Sequence, residues 1–216
     1  MKKKICFIIL LIFAGYVFFT GWTQIKVKPE FCGIVQSKLS GIKDSPIVSG
    51  KFSWNWDFLI PGNAKITTFS IKPFNYEKSI SGTVASGDAF SSSDLLGYKF
   101  NYTLTLSYTP EAIISLMKKN YISNQEDFET YMSNAADYLC QSATTYYLKR
   151  VQTDPNFKPE NIKRDDIIKV INSYKEFPDI DVVLISLVDY KLPNYALYNK
   201  LITNNFHLSI SDNKKN

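Results

Sequence analysis

The chain has 216 residues, 45% of them hydrophobic and 15% aromatic. This excludes a globally disordered chain, which buries too little apolar surface to offset its ordering entropy. The formal net charge is +5, but Lys2, Lys3 and Lys4 precede the first apolar run and all 20 acidic residues follow it, so the rest carries only +2. That balance, with no dense basic stripe, argues against a nucleic-acid surface.

The elements follow in order. Ile5 to Trp22 is an unbroken, uncharged run. As a helix of about 18 residues it would rise roughly 27 Å, close to the hydrocarbon thickness of a bilayer. Lys2 to Lys4 place its N-terminus in the cytoplasm by the positive-inside bias, and Trp22 falls where an interfacial aromatic belt is expected. A signal peptide shares the basic start and apolar centre, but no A-x-A cleavage pattern appears; Tyr16, Val17, Phe18 and Phe19 crowd the end of the run. The expectation is an uncleaved anchor, residues 1–22, with a single pass through the cell membrane and a body on the extracytoplasmic (periplasmic) side.

Beyond it, Ile25, Val27, Phe31, Gly33 and Val35 around Pro29 predict two short strands within Thr23–Gln36. Lys38–Gly50 reads as a loop. In Lys51–Ile60, Phe52, Trp54, Trp56 and Phe58 alternate with polar residues, which predicts a strand whose aromatic face packs in a sheet or core; a ligand platform is the other reading. Pro61-Gly62 turns the chain, and Lys65–Tyr76 resumes a strand that ends near Pro73. Ser79–Gly97, rich in Ser and Gly, reads as a hairpin and a surface loop. Tyr98–Tyr108 alternates perfectly and predicts a half-buried strand.

Thr109-Pro110-Glu111 then opens a helix through Lys119, with a capping threonine, proline in the first turn and an acid at the positive end of the dipole. Ser123-x-x-Glu126 reads as a capping box before a helix over Asn124–Arg150, whose apolar stripe is Phe128, Tyr131, Ala135, Tyr138, Leu139 and Tyr146. A third helix is predicted over Glu160–Glu176. Asp181–Leu192 is a strand apolar enough to be covered on both faces for part of its length. Residues 194–216 form a short final helix, Asn194–Phe206, and a polar tail.

Chemistry is sparse. His207 is the sole histidine, so no histidine-rich metal site is available. Neither GxSxG nor HExxH occurs, and Gly82 and Gly87 do not make a phosphate loop. Cys32 and Cys140 are an even pair, readable as a disulfide or, as expected here, as two buried thiols. Asp165-Asp166 reads as a solvated helix face, and Asp179 and Asp181 as a turn and strand edge. No catalytic, cofactor-binding or metal-binding residue is assigned, and the expectation is a non-enzyme without cofactors.

Several of these stretches resemble the SPFH superfamily, also called Band 7 or prohibitin-homology proteins. Val27 to Val35 is similar to the family's opening strand pair, and Leu59-Ile60-Pro61-Gly62 to its turn. Ser86-Gly87-Asp88 followed by Tyr98 to Pro110 resembles the strand that runs into a helix at a proline. Pro178 to Pro193 resembles the last strand before the family's coiled coil. The resemblance covers residues 23–193. It implies a mixed α+β domain in two small subdomains. It also implies a non-catalytic membrane scaffold that self-associates and organises lipids or membrane-protein partners such as a protease. Only 23 residues follow Pro193 here, without the Ala- and Glu-rich helix typical of the family, so weak homo-oligomerisation is expected. The alternative is an anchored extracytoplasmic module that binds a ligand or partner.

Overall fold

The first element is a helix, α1 (Lys2–Gly21). It is 19 residues long from Lys3, with mean hydropathy 2.1, and almost none of it is buried against the rest of the chain. A helix apolar all round needs an apolar environment, and its length and composition suffice to cross a membrane. The computed structural model describes residues 2–84, 94–154, 156–173, 176–177, 179–200 and 203. Of the predicted final helix it describes 195–200 and 203 as helical, with Asn194 Oδ1 accepting from the Leu197 N–H at 3.0 Å. The loop within Ser79–Gly97 lies largely outside the described residues, as do His207 and the polar tail.

The result is a mixed α+β protein of two compact units. One comprises Met1–Pro73, Ser107–Met132 and Asp179–Asp181; the other comprises Phe74–Leu106, Ser133–Pro178 and Val182–Asn216.

The first unit is built on β1 (Phe31–Ser37). Along one edge β1 pairs antiparallel with β4 (Ala64–Ser70), from Phe31↔Ser70 to Ser37↔Ala64. Its other edge takes two short strands, β2 (Gly41–Ile42) and β3 (Ile47–Val48), so the predicted loop over Lys38–Gly50 contains sheet. Cys32, Ile34 and Val35 are buried, as are Ile47 and Phe69. Each side chain of this size removed from water contributes about 1.5–3 kcal/mol. The first of the two strands expected in Thr23–Gln36 is absent. A 3-10 turn, Gln24–Lys26, stands there, closed by the Val27 N–H on the Gln24 carbonyl at 3.1 Å.

The expected strand over Lys51–Ile60 does not form either. Only Trp54 makes a bridge, to Trp22, and Trp56–Leu59 is a 3-10 helix whose cap, Asn55, accepts from the Asp57 N–H at 2.9 Å. Phe58 packs beside Val27, Val35 and Ile47. Phe52 and Trp56 remain 59% and 72% exposed, so sheet or core packing is not their role.

The helix α2 (Pro110–Lys118) starts as the sequence predicts, with Thr109 Oγ1 accepting from the Ala112 N–H at 3.2 Å. It stops at Asn120, which takes a left-handed φ of 58°. The Tyr121 N–H then reaches the Leu116 carbonyl and the Asn120 N–H the Met117 carbonyl, both at 3.0 Å, which satisfies the last open acceptors.

The long helix α3 (Gln125–Thr153) is capped one residue away from the expected box. Asn124 Oδ1 accepts from the Asp127 N–H at 2.9 Å, and the Asp127 carboxylate accepts from the Ser123 N–H at 2.8 Å. Asn124 is thus the cap, and Asp127 reaches back past it to Ser123, in place of the expected Ser123–Glu126 box. The stripe is rotated to match: Phe128, Met132, Ala135, Ala136, Leu139, Cys140, Ala143, Tyr147 and Val151 are buried, while Tyr131, Tyr138 and Tyr146 flank them at intermediate exposure.

The second unit holds a three-stranded sheet of order β5-β6-β7. β5 (Phe74–Thr83) and β6 (Gly97–Ser107) pair antiparallel from Phe74↔Leu106 to Thr83↔Gly97, so β5 extends well into the stretch read as hairpin and loop. Phe100, Tyr102, Leu104 and Leu106 are buried on one face of β6. Phe100 stacks on Tyr147 of α3 at 5.7 Å between centroids, and Tyr102 Oη meets Thr144 Oγ1 at 2.9 Å.

A 3-10 turn, Pro159–Asn161, stands at the expected start of the helix, and α4 (Arg164–Ser173) follows it and buries Ile167 and Ile171. β7 (Asp181–Lys191) is not covered on both faces. Ile185 is buried, but Val183 and Val188 are 44% and 66% exposed.

Candidate functional site

Among the described residues, two gatherings of chemistry-bearing side chains matter most, one in each unit. In the first unit the site is the end of α1 and the aromatic segment 52–58. Trp54 lies against Gly21 so closely that a Cβ on Gly21 would stand 2.2 Å from the indole carbon Cε2. Glycine is the residue that permits this approach. The Trp54 indole Nε1–H donates to the Phe18 carbonyl at 3.3 Å, and the Asn55 N–H donates to the Gly21 carbonyl at 2.9 Å. Thr23 is fully buried; its N–H and Oγ1 both donate to the Ser53 carbonyl, at 2.9 and 3.0 Å. Lys26 Nζ donates to the Thr20 carbonyl at 3.2 Å, a cation at the negative end of the helix dipole. The free acceptors at the end of the helix are in this way engaged by the body.

Rings surround that contact. Phe18 lies 5.5 Å from Trp22 and 6.3 Å from Phe52, Trp22 lies 6.1 Å from Phe52, and Trp56 meets Trp54 edge-on at 4.3 Å. Asp57 braces the segment. It accepts from Lys43 Nζ at 2.9 Å and Ser40 Oγ at 2.8 Å, and these bonds, Lys43 first, hold its carboxyl below the usual range. Val35, Lys43, Asp44, Ser53, Trp54 and Trp56 are among the residues lining an open depression of about 310 Å³.

In the second unit, Lys78 points to the same face of β5 as Tyr76. Asp137 of α3 accepts from Tyr76 Oη at 2.7 Å and ion-pairs with Lys78 Nζ at 2.8 Å. Partial burial, the largest influence on Asp137, raises its pKa; the bonds from Lys78 and Tyr76 together more than reverse this, so the carboxyl stays below its usual value. The hydrogen bond to Asp137 pushes both Tyr76 and Lys78 up. Both shifts hold the protons of Tyr76 and Lys78 more firmly beside the charged carboxylate, and the trio forms an ion-paired brace between β5 and α3. The sequence reading missed it because β5 itself was misplaced.

The other candidates fall apart from these two places. Cys32 and Cys140 are both free and buried, one in each unit. Burial pushes their thiols up to about 11 and about 12. Asp165 and Asp166 lie in the exposed first turn of α4, and Asp179 pairs with Lys119 at 3.4 Å. Among the described residues no group of three or more His, Cys, Asp or Glu is placed to hold a metal ion.

No known protein-family profile matches the chain. It is similar to an uncharacterized protein of Treponema pallidum (strain Nichols), with 21% identity over 192 residues that cover 85% of this chain. The chain spans 64% of that relative's length.

Proposed function

We propose that this protein is a membrane-anchored, non-catalytic scaffold of the SPFH type. In this reading α1 spans the cell membrane with Lys2 to Lys4 in the cytoplasm, and the body lies on the extracytoplasmic side. There the body associates with further copies of itself and organises lipids or partner membrane proteins. The observation that carries the anchor is the seating of Gly21 against Trp54. A removable leader has no need of a body residue shaped to its last turn, whereas a retained anchor gains a fixed exit angle from it. Support for the SPFH reading comes from β6, which leads into α2 at Thr109-Pro110, and from β7, which lies beside β6 and ends before Pro193.

The test is protease protection combined with mass measurement. Protease added outside intact cells, or after opening of an outer membrane if one is present, should degrade the body. The purified protein should retain Met1–Gly21. A body accessible only from the cytoplasm, or a mature chain lacking those residues, overturns the reading.

A second reading is an anchored module that binds a ligand or partner. The depression beside Trp54 and Trp56 favours it, since aromatic rings flanked by Lys43 and Asp44 suit a small polar-apolar ligand. Saturable binding lost in Trp56→Ala, without self-association of the full chain, would select this module over the scaffold.

A further inference from the structure

We infer that the segment carrying Phe52, Trp54 and Trp56 is a lipid-contacting collar, seated in the headgroup region of the membrane around the end of α1. The inference rests on the reading that α1 spans the bilayer, and adds which part of the body touches lipid.

Depth is the first argument. The Trp54 indole donates to the carbonyl of Phe18, a residue inside the uncharged run. From Phe18 to Gly21 a helix rises about 4.5 Å. The Phe18 carbonyl points toward the end of the helix, so the indole that bonds it lies level with Gly21, which it touches, at the end of the apolar stretch, where the hydrocarbon gives way to headgroups. Phe52 stacks on Phe18 at 6.3 Å and Trp56 stands 4.3 Å from Trp54, so both belong to the same level.

Exposure is the second. Phe52 and Trp56 are 59% and 72% exposed. Large apolar rings left open in a row call for an apolar partner, and a protein partner need not be sought, because the span already brings the bilayer to them. Chemistry is the third. Tryptophan favours the interface, where its ring lies among acyl chains and its N–H among polar groups. Lys51, next to Phe52 in the chain, is exposed, with a long stem suited to reaching phosphate.

The experiment uses the full chain with its three tryptophans replaced biosynthetically by 5-fluorotryptophan and inserted in phosphatidylcholine–phosphatidylglycerol nanodiscs. Single Trp→Phe variants assign the three fluorine signals. A doxyl label near the headgroup should broaden the Trp22 and Trp56 signals several-fold more than a soluble gadolinium chelate does. Should Trp22 respond to the lipid label while Trp56 responds only to the chelate, the collar is overturned and the anchor stands. Should neither respond to the lipid label, both fall. As a second check, Trp56→Ser should cut the lipid-induced broadening of the Trp54 signal, because Trp56 no longer seats the turn; an unchanged Trp54 signal counts against the collar.

Discussion

Trp54 occupies the space that a side chain on Gly21 would need. The contact joins the last turn of α1 to the body within one unit, and it is rigid on both sides, an indole against helix backbone. Gly21→Ala should therefore destabilise the docked end of the helix by about 1–3 kcal/mol, the usual cost of overpacking. Gly15 supplies the control: a Cβ there meets nothing within 4 Å, and alanine is the better helix former. Thermal unfolding of both variants in detergent should show a lower midpoint for Gly21→Ala alone. Equal midpoints would mean that the seating is not a constraint.

The Tyr76–Lys78–Asp137 brace makes a pH prediction with a definite sign. Asp137 has its pKa lowered in the folded state, so the stability it contributes is present above the ordinary carboxylate value of 3.8 and is lost as pH falls through the folded value. Lys78 is raised above 10.5, so its share is present below 10.5 and lost as pH rises through the folded value. Asp137→Asn should thus melt below wild type at pH 7, and the gap should narrow as pH drops below about 3.8. The pair is partly solvated, at 33% and 32% exposure, which keeps the effect modest. A gap that widens in acid would contradict the assignment.

Tyr102 tests the second unit's core. It is 2% exposed, and its hydroxyl meets Thr144, whose Oγ1 also bonds the Cys140 carbonyl at 2.9 Å. Tyr102→Phe should cost about 0.5–1.5 kcal/mol, because Thr144 keeps one partner. Tyr102→Asp should cost several-fold more by burying an unpaired carboxylate. Similar unfolding free energies for the two would show that the strand is misregistered.

These elements differ in how far the sequence disclosed them. β6 and the start of α2 were legible because their signals are local: strict alternation over Tyr98–Tyr108, and a Thr-Pro-Glu start whose cap forms within four residues. Segment 52–58 misled because alternation reports an extended chain but not its neighbour. Here the neighbour is a helix end some 30 residues earlier, which no local pattern encodes. β5 hid behind Ser79, Ser81 and Gly82, residues that read as loop. Gly82 is there because a Cβ would strike the Tyr98 hydroxyl at 2.6 Å, and Lys78 faces inward because Asp137 waits on α3. Both reasons lie in tertiary contacts. The capping shift from Ser123 to Asn124 is a one-residue ambiguity that several consecutive capping residue types make unavoidable.

Cys32 and Cys140 allow the two units to be followed separately. Each thiol is buried, with its pKa pushed up to about 11 and about 12, so little thiolate exists at neutral pH. Pulsed alkylation of the intact protein, read by mass spectrometry of peptides, should label neither until its own unit opens. Different labelling midpoints in denaturant would give each unit its own stability. Rapid labelling of either cysteine under native conditions would contradict its burial.

Self-association is the prediction on which the scaffold reading depends. Among the described residues β7 pairs on one side only, with β6, and it exposes Val183 and Val188. An exposed edge with apolar side chains invites pairing with another chain, and lysine on such a strand blocks it. Confinement of the anchored chain to a membrane plane raises its effective concentration and strengthens even a weak seam. The full-length protein should therefore cross-link to dimers and larger species in membranes. Val188→Lys should reduce the cross-linked fraction several-fold without lowering the melting midpoint, since Val188 is 66% exposed. If Val188→Lys cross-links like wild type, the seam lies on another surface and β7 is only a sheet edge. If the wild-type chain itself stays monomeric in membranes, the scaffold reading fails, and the anchored binding module, with its depression beside Trp54 and Trp56, becomes the function to pursue.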